Sequence, residues 1–128
     1  MHSTIKNYIK MTQYQFSPYI KENANFLTKL AKTRSEKRKR VLLLEATPEQ
    51  ILSIVEICAN VLKNNFVLTT RQRRKLAQYA DLYRSISRSR TETTARNRIQ
   101  EGGQLAIAAI LAPVLSALAQ NLLDKVIH

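Results

Sequence analysis

Residues 47 to 86 decide the fold, and they read TPEQILSIVEICANVLKNNFVLTTRQRRKLAQYADLYRSI. Thr47 precedes Pro48 and Gln50, and the same Thr-x-x-Gln spacing returns at Thr69. In such a capping box, the threonine hydroxyl and the glutamine amide each accept a hydrogen bond from the other residue's backbone N–H at the start of a helix. Proline is favoured at the first helical position. The stretch therefore predicts two helices joined as a hairpin.

Apolar side chains recur in this stretch at helical spacing, about 100° per residue, so they fall on one side of each helix. Leu52 and Ile57 widen that side of the first helix, which predicts neighbours on two sides. Asn64 and Asn65 mark its expected end, because asparagine tolerates the left-handed conformation. The apolar side of the first helix consists of Ile51, Ile54, Val55, Cys58, Val61 and Leu62, and that of the second consists of Leu76, Tyr79, Ala80, Tyr83 and Ile86.

The composition predicts an all-α protein that binds a polyanion. Two glycines and three prolines in 128 residues leave few turns for a sheet. We expect a small bundle of four to six helices, with the hairpin at its centre and an apolar helix at its C-terminal end. The formal net charge is +12 and the pI is about 10.3. Such an excess of positive charge attracts nucleic acid or an anionic membrane.

The charge is concentrated in two segments, which together hold the whole excess. Lys29 to Arg40 contains seven basic residues and one acid, and Arg71 to Arg98 contains nine basic residues and two acids. Such concentration is typical of a binding surface, and the arginines of the second segment suit bidentate phosphate contacts. Lys37 to Arg40 also fits a nuclear-import signal, which predicts a nuclear location. The candidate nucleic-acid-binding residues are Lys37, Arg38, Lys39, Arg40, Arg71, Arg73, Arg74, Lys75, Arg84, Arg88, Arg90, Arg96 and Arg98.

The residues that usually carry catalysis or bind metals are sparse and separated. The two histidines are His2 and His128, at opposite ends of the chain, and no cluster has metal-ligand spacing. Cys58 is the single cysteine and lies on an apolar helix face, where we expect a buried, unreactive side chain. We therefore expect a protein that is not an enzyme, with no catalytic residues, no metal and no cofactor.

The C-terminal segment changes character after Gly102-Gly103. Residues 104 to 123 carry no charge, and their apolar side chains surround the helix that they predict. Such a helix is buried in the core, inserted in a membrane or used in self-association, and these three alternatives stay open. Pro113 should bend it. The candidate membrane or oligomer residues are Leu105, Ile107, Ile110, Leu111, Val114, Leu115, Leu118 and Leu122.

These changes in composition divide the chain into three segments. Residues 1–22 mix tyrosines and lysines without a sustained period, which predicts an N-terminal arm that orders against a partner or packs on the domain. Residues 23–101 form a basic helical domain. Residues 102–128 contain the Gly-Gly break and the apolar helix. The arm has no apolar signal region, so we expect the protein to work in the cytosol or nucleus.

The order of these segments resembles that of a family of small basic virion proteins of adintoviruses and Maverick/Polinton elements. That family is similar to adenovirus core protein X, the precursor of mu. The resemblance covers roughly residues 26 to 123. Its carriers are the basic run before Val41-Leu42-Leu43, the helix from Ile51 to Leu62, the segment Leu68 to Leu76, and Gln100-Glu101-Gly102-Gly103 followed by the apolar run centred on Leu111, Pro113 and Leu115.

The resemblance implies a virion component packed with double-stranded DNA inside a capsid, so its partners include capsid proteins. It also implies a maturation protease of the adenain type, which prefers an aliphatic residue, any residue, Gly, any residue, and then cleavage before Gly. Ile99 to Gly103 has the aliphatic residue and the final pair, but Glu101 stands where glycine is preferred. Gly102-Gly103 is thus a candidate protease site, with a helix-terminating glycine pair as the alternative.

Together these observations predict a non-enzymatic core protein of a virus-like element that binds and condenses DNA regardless of sequence. One alternative is a membrane-active, capsid-internal protein that acts through the apolar C-terminal helix, with its basic segments attracted to anionic lipid. Another is a homo-oligomerisation module in which the apolar helix pairs with its copies.

Overall fold

The computed structural model describes residues 18–63, 65–66, 68–102 and 106–116, and within these ranges the chain is all-helical, without a β-strand. The prediction of an all-α protein is confirmed. The number of helices was wrong, because the described ranges contain eight. They are α1 (Pro18–Glu22), α2 (Ala24–Lys32), α3 (Glu36–Glu45), α4 (Pro48–Leu62), α5 (Thr70–Ala77), α6 (Ala80–Ser87), α7 (Glu92–Gly102) and α8 (Ala106–Ser116).

Both capping boxes form as predicted. Thr47 Oγ1 accepts from the backbone N–H of Gln50 at 3.1 Å, and Gln50 Oε1 accepts from the N–H of Thr47 at 2.9 Å. The pair Thr69 and Gln72 repeats this exchange at 3.1 and 2.8 Å. Each exchange satisfies two backbone donors that a helix start leaves without an intrahelical partner. The starts of α4 and α5 are therefore determined locally.

The long helix α4 is the centre of the fold. It packs against α1, α6 and α7, so it has neighbours on more than one side, as its wide apolar face predicted. Ser53 and Asn60, which lie opposite that face, are buried as well. Ser53 Oγ donates to the carbonyl oxygen of Gln50 at 2.6 Å, and Asn60 Oδ1 accepts from Asn65 Nδ2 at 2.7 Å. These local hydrogen bonds allow polar groups inside the core.

The second half of the hairpin is divided into two helices. The sequence predicted one continuous helix, but α5 ends at Ala77 and α6 begins at Ala80. At the break, the backbone N–H of Tyr79 donates to the carbonyl of Leu76 at 3.0 Å, which closes a tighter turn than an α-helix. Gln78 Nε2 donates to the carbonyl oxygen of Lys75 at 2.9 Å. In a continuous α-helix the backbone N–H of Tyr79 would donate to this carbonyl, so the Gln78 side chain replaces a helical hydrogen bond at the break.

The ends of the described chain contribute to the same core. Pro18–Glu22, in the segment expected to be an arm, forms α1, and Ile20 in it is fully buried. Phe66, between the two halves of the hairpin, is buried too. In the described part of the apolar C-terminal segment, residues 106–116, the buried residues belong to the same hydrophobic cluster as the buried side chains of α4. They are Ala106, Ile107, Ile110, Leu111 and Val114.

Candidate nucleic-acid interface

The first group of basic side chains lies at the start of α3. Ser35 precedes the helix, and its Oγ accepts from the backbone N–H of Arg38 at 3.3 Å. Lys37, Arg38 and Arg40 are exposed, and Lys39 is half-buried. Lys32 and Arg34, which precede the helix, are exposed as well and extend the group beyond the predicted residues. We call these six residues the α3 cluster.

The second group of basic side chains lies on α5, in the last turn of α6 and in the turn after α6. Its members are Arg71, Arg73, Arg74, Lys75, Arg84, Arg88 and Arg90, and all seven are exposed. We call them the α5–α6 cluster. Arg73 Nε lies 3.5 Å from the carbonyl oxygen of Leu68, a long contact at the limit of hydrogen bonding. The capping box of Thr69 sets the start of the helix that carries the first four residues.

Arg84 makes an ion pair within its own helix, with 2.6 Å between Nη1 and Oδ1 of Asp81. The Arg84 side chain is 51% exposed and that of Asp81 is fully exposed. Solvent screens such a pair strongly, and pairs of this kind contribute little to stability. A phosphate can therefore replace Asp81 at small cost, so Arg84 stays in the candidate surface.

Arg96 has a different environment from the two clusters. Its Nη1 donates to the carbonyl oxygens of Leu43 at 2.8 Å and Leu44 at 3.1 Å, and its Nη2 donates to that of Ala46 at 2.7 Å. Nη2 also bonds to the Glu92 carboxylate, and the Arg96 side chain is only 18% exposed. The last carbonyls of a helix have no intrahelical partner. Arg96 therefore caps the C-terminus of α3 from α7.

Arg98 does the same for α6. Its Nη1 donates to the carbonyl oxygen of Ser85 at 2.6 Å and to Ser89 Oγ at 3.2 Å. Ser85 lies in the last turn of α6, where a positive charge also interacts favourably with the helix dipole. Both Arg96 and Arg98 are half-buried and committed to intramolecular acceptors. Arg96 and Arg98 are therefore less available to a nucleic acid than the exposed residues of the two clusters.

The candidate membrane or oligomer residues that the structure describes face the protein interior. Ile107, Ile110, Leu111 and Val114 are at most 1% exposed, and Leu115 is half-buried. Leu105, Leu118 and Leu122 lie outside the described residues. Among the helices that are described, none by itself is long and apolar enough to cross a bilayer; α7 and α8 reach that length and composition only as a pair bent by 108°.

One buried hydrogen bond ties α8 to the hairpin. Tyr83 O–H donates to the carbonyl oxygen of Ala106 at 2.7 Å. Burial raises the pKa of the Tyr83 hydroxyl, with smaller contributions from Cys58 and Tyr79, so it remains protonated and keeps donating. Burial likewise raises the pKa of the Cys58 thiol, to about 12. Cys58 is therefore a packed, protonated side chain rather than a nucleophile.

Two shallow grooves border α5. One has a volume of about 280 Å³. Its lining includes Gln72 and Lys75 of α5 and the small residues Ala108 and Ala112 of α8. The other, of about 290 Å³, is lined mostly by apolar side chains and by Arg73. Within the described ranges, no three His, Cys, Asp or Glu side chains come close enough to hold a metal ion.

The candidate protease site is only half described. Gly102 is the last residue of α7 and is exposed, and a Cβ atom added to it would lie 3.3 Å from Leu82 Cδ1. Gly103 lies outside the described residues. Gly102 therefore stands at a helix end, as the glycine-pair alternative expects, and cleavage between Gly102 and Gly103 stays a prediction.

Comparison with known proteins finds no family model, no curated protein and no solved structure that matches this chain.

Proposed function

We propose that this protein is a non-enzymatic DNA-binding protein that neutralises and condenses double-stranded DNA without reading its sequence. The observation that carries the proposal is the exposure of ten of the thirteen predicted binding residues, on α3, α5, α6 and the turn after α6. Exposed Lys and Arg side chains reach phosphates, which are the same along any duplex. Each phosphate contact releases counterions, so affinity should fall steeply as salt rises.

The direct test is the affinity for two duplexes of unrelated sequence, measured between about 50 and 200 mM salt, the range over which such binding weakens most visibly. We expect equal affinity for both duplexes and a linear fall of log K with log salt. A chain with Lys37, Arg38 and Arg40 changed to Gln should bind both duplexes more weakly. Binding that does not change with salt, or that differs strongly between the duplexes, would contradict the proposal.

We further propose that the protein is a virion component of a virus-like element that acts in the host nucleus and contacts capsid proteins. This placement rests on the resemblance described in the sequence analysis and on the import-like run Lys37 to Arg40. The same resemblance supports processing at Gly102-Gly103. Incubation with an adenain-type protease should release a fragment that ends at Gly102, and a chain that stays intact would argue against processing at this site.

Membrane action is less well supported, because the described apolar residues of α8 are already buried in the core. They would have to leave that core before they could contact lipid.

Self-association can still use a surface of α8 that is not buried, since Ala112 and Ser116 are exposed there. Dye release from anionic liposomes and light scattering, both with the full chain, separate these alternatives from DNA binding. Leakage without DNA binding would favour the membrane alternative.

A further inference from the structure

The two basic clusters share a short sequence pattern. Residues 32–36 read KTRSE and residues 88–92 read RSRTE. Each consists of a basic residue, a hydroxyl residue, arginine, a second hydroxyl residue and glutamate. The second hydroxyl residue is Ser35 in the α3 cluster and Thr91 beside the α5–α6 cluster, and each has a basic residue both three positions and one position before it.

Ser35 and Thr91 also occupy equivalent positions in the structure. Each is exposed, lies outside the helices and immediately precedes the glutamate that begins a helix. Each side chain caps that helix: Ser35 Oγ accepts from the N–H of Arg38 at 3.3 Å, and Thr91 Oγ1 accepts from the N–H of Thr94 at 3.2 Å. Pattern and placement therefore coincide twice, once per cluster.

Two other described hydroxyls have arginine three positions before them, and neither shares this placement. Ser87 follows Arg84 but is the last residue of α6, is half-buried and donates to the carbonyl of Arg84 at 2.9 Å. Thr93 follows Arg90 but lies in the first turn of α7. Each also lacks the basic residue one position before it. These two residues provide internal controls.

We propose that Ser35 and Thr91 are the sites at which a basophilic serine/threonine kinase phosphorylates this protein, and that the two phosphates switch off DNA binding. The effect on DNA rests on the proposed function; the assignment of the sites does not. In the reaction, the side-chain oxygen forms a bond to the γ-phosphorus of ATP, the bond between that phosphorus and the β–γ bridging oxygen breaks, and ADP and the hydroxyl proton leave. The basic residues before each hydroxyl are the feature such a kinase recognises.

Phosphorylation of Ser35 and Thr91 should affect the helices that they cap differently from the basic clusters beside them. A phosphate carries about −1.5 to −2 charges at neutral pH, and at a helix start it interacts favourably with the helix dipole. The helices α3 and α7 are therefore kept. The same charges compete with DNA phosphates for the neighbouring lysines and arginines, so two phosphates remove the equivalent of roughly three to four positive charges from the binding surface.

The site assignment is tested by incubating the full folded chain with ATP and the purified catalytic subunit of a cyclic-AMP-dependent kinase, followed by mass-spectrometric mapping. We expect phosphate on Ser35 and Thr91 and none on Ser87. Modification of Ser87 in preference to these two, or no modification of either, would overturn the assignment. The variant with Ser35→Asn and Thr91→Asn is the matched control, because asparagine caps a helix as well as serine does but accepts no phosphate.

The switch is tested with the doubly phosphorylated chain on the same duplexes and salt range. We expect binding at least about tenfold weaker than that of the unmodified chain, a smaller dependence on salt and an unchanged or higher unfolding temperature. The asparagine variant should bind as tightly as the unmodified parent, both before and after it is treated with the kinase. Full modification with unchanged affinity would overturn the switch. An unmodified chain that fails to bind any duplex would instead refute the proposed function, while the mass map still decides the sites.

Discussion

Arg96 is the residue whose removal should affect the fold most directly through hydrogen bonding. Arg96→Met keeps most of the alkyl chain but leaves the carbonyls of Leu43, Leu44 and Ala46 without this donor and Glu92 without its partner. We expect the free energy of unfolding to fall by about 2–3 kcal/mol, as for hydrogen bonds to charged groups. Urea unfolding followed by circular dichroism measures it.

The matched control is Arg88→Met, since Arg88 is exposed and follows α6. This change should alter stability by less than about 0.5 kcal/mol, as is usual for surface substitutions. It should weaken DNA binding, whereas Arg96→Met should leave the salt dependence of binding unchanged while the chain is folded. If the two substitutions had equal effects on stability, the capping role of Arg96 would be refuted.

The raised pKa of Cys58 predicts that the stability of the fold depends on pH. Burial raises its pKa from 9.0 to about 12, so the folded chain holds the thiol proton more tightly than the unfolded chain does. This contribution is fully present below pH 9 and is lost as the pH rises towards 12. We expect Cys58→Ala to have a lower free energy of unfolding than the parent. This difference should be constant below about pH 9 and shrink above it by up to about 1.4 kcal/mol per pH unit, because only the parent loses the contribution of the thiol proton. Unfolding of both chains at pH 7, 9 and 10 in the presence of a reductant measures this, and a difference that does not change would contradict it.

At the scale of the elements, the two capping boxes begin helices that are buried to very different extents. Six residues of α4 are buried, whereas Leu76 is the buried residue of α5. Packing supplies most of the stability of a helix in a folded protein. A lost cap should therefore affect the whole fold at α4 and mainly the helix itself at α5.

We expect Thr47→Ala to lower the global free energy of unfolding by about 1–2 kcal/mol, the upper range for a lost N-cap. Thr69→Ala should chiefly speed hydrogen exchange of the backbone amides from Gln72 to Leu76, because α5 can open locally. Hydrogen-exchange mass spectrometry together with urea unfolding distinguishes the two. Replacement by Ser keeps the hydroxyl and serves as the control at both sites, and equal global effects of the two Ala substitutions would count against this difference.

At the scale of the whole molecule, folding sorts the positive charges into internal and external ones. Arg96 and Arg98 hold α7 against the ends of α3 and α6, while the α3 and α5–α6 clusters remain exposed. A net charge of +12 in a small chain also opposes compaction through self-repulsion. Binding a polyanion relieves that repulsion, so under the proposed function we expect added DNA to raise the free energy of unfolding.

This sorting predicts how the salt dependence responds to charge removal. Changing Arg71, Arg74 and Arg88 to Gln should reduce the slope of log K against log salt by roughly 0.9 for each phosphate contact removed. The three residues are exposed, so folding should be unaffected. Filter binding or fluorescence anisotropy at several salt concentrations measures the slope. A slope that stays the same would show that the α5–α6 cluster does not contact the phosphates.

The sequence by itself determined the helical class, the starts of α4 and α5 and the excess of positive charge. Capping boxes are readable because donor and acceptor lie three residues apart, so four residues contain the whole interaction. Only the tertiary structure decided which arginines are structural. The carbonyls that Arg96 caps lie 50 to 53 residues away in sequence, and no local pattern places them there. The same holds for the apolar C-terminal helix, for which the sequence left three alternatives open. Five apolar residues of α8 are buried in the same cluster as those of α4, because packing partners and not local composition decide whether an apolar helix is covered.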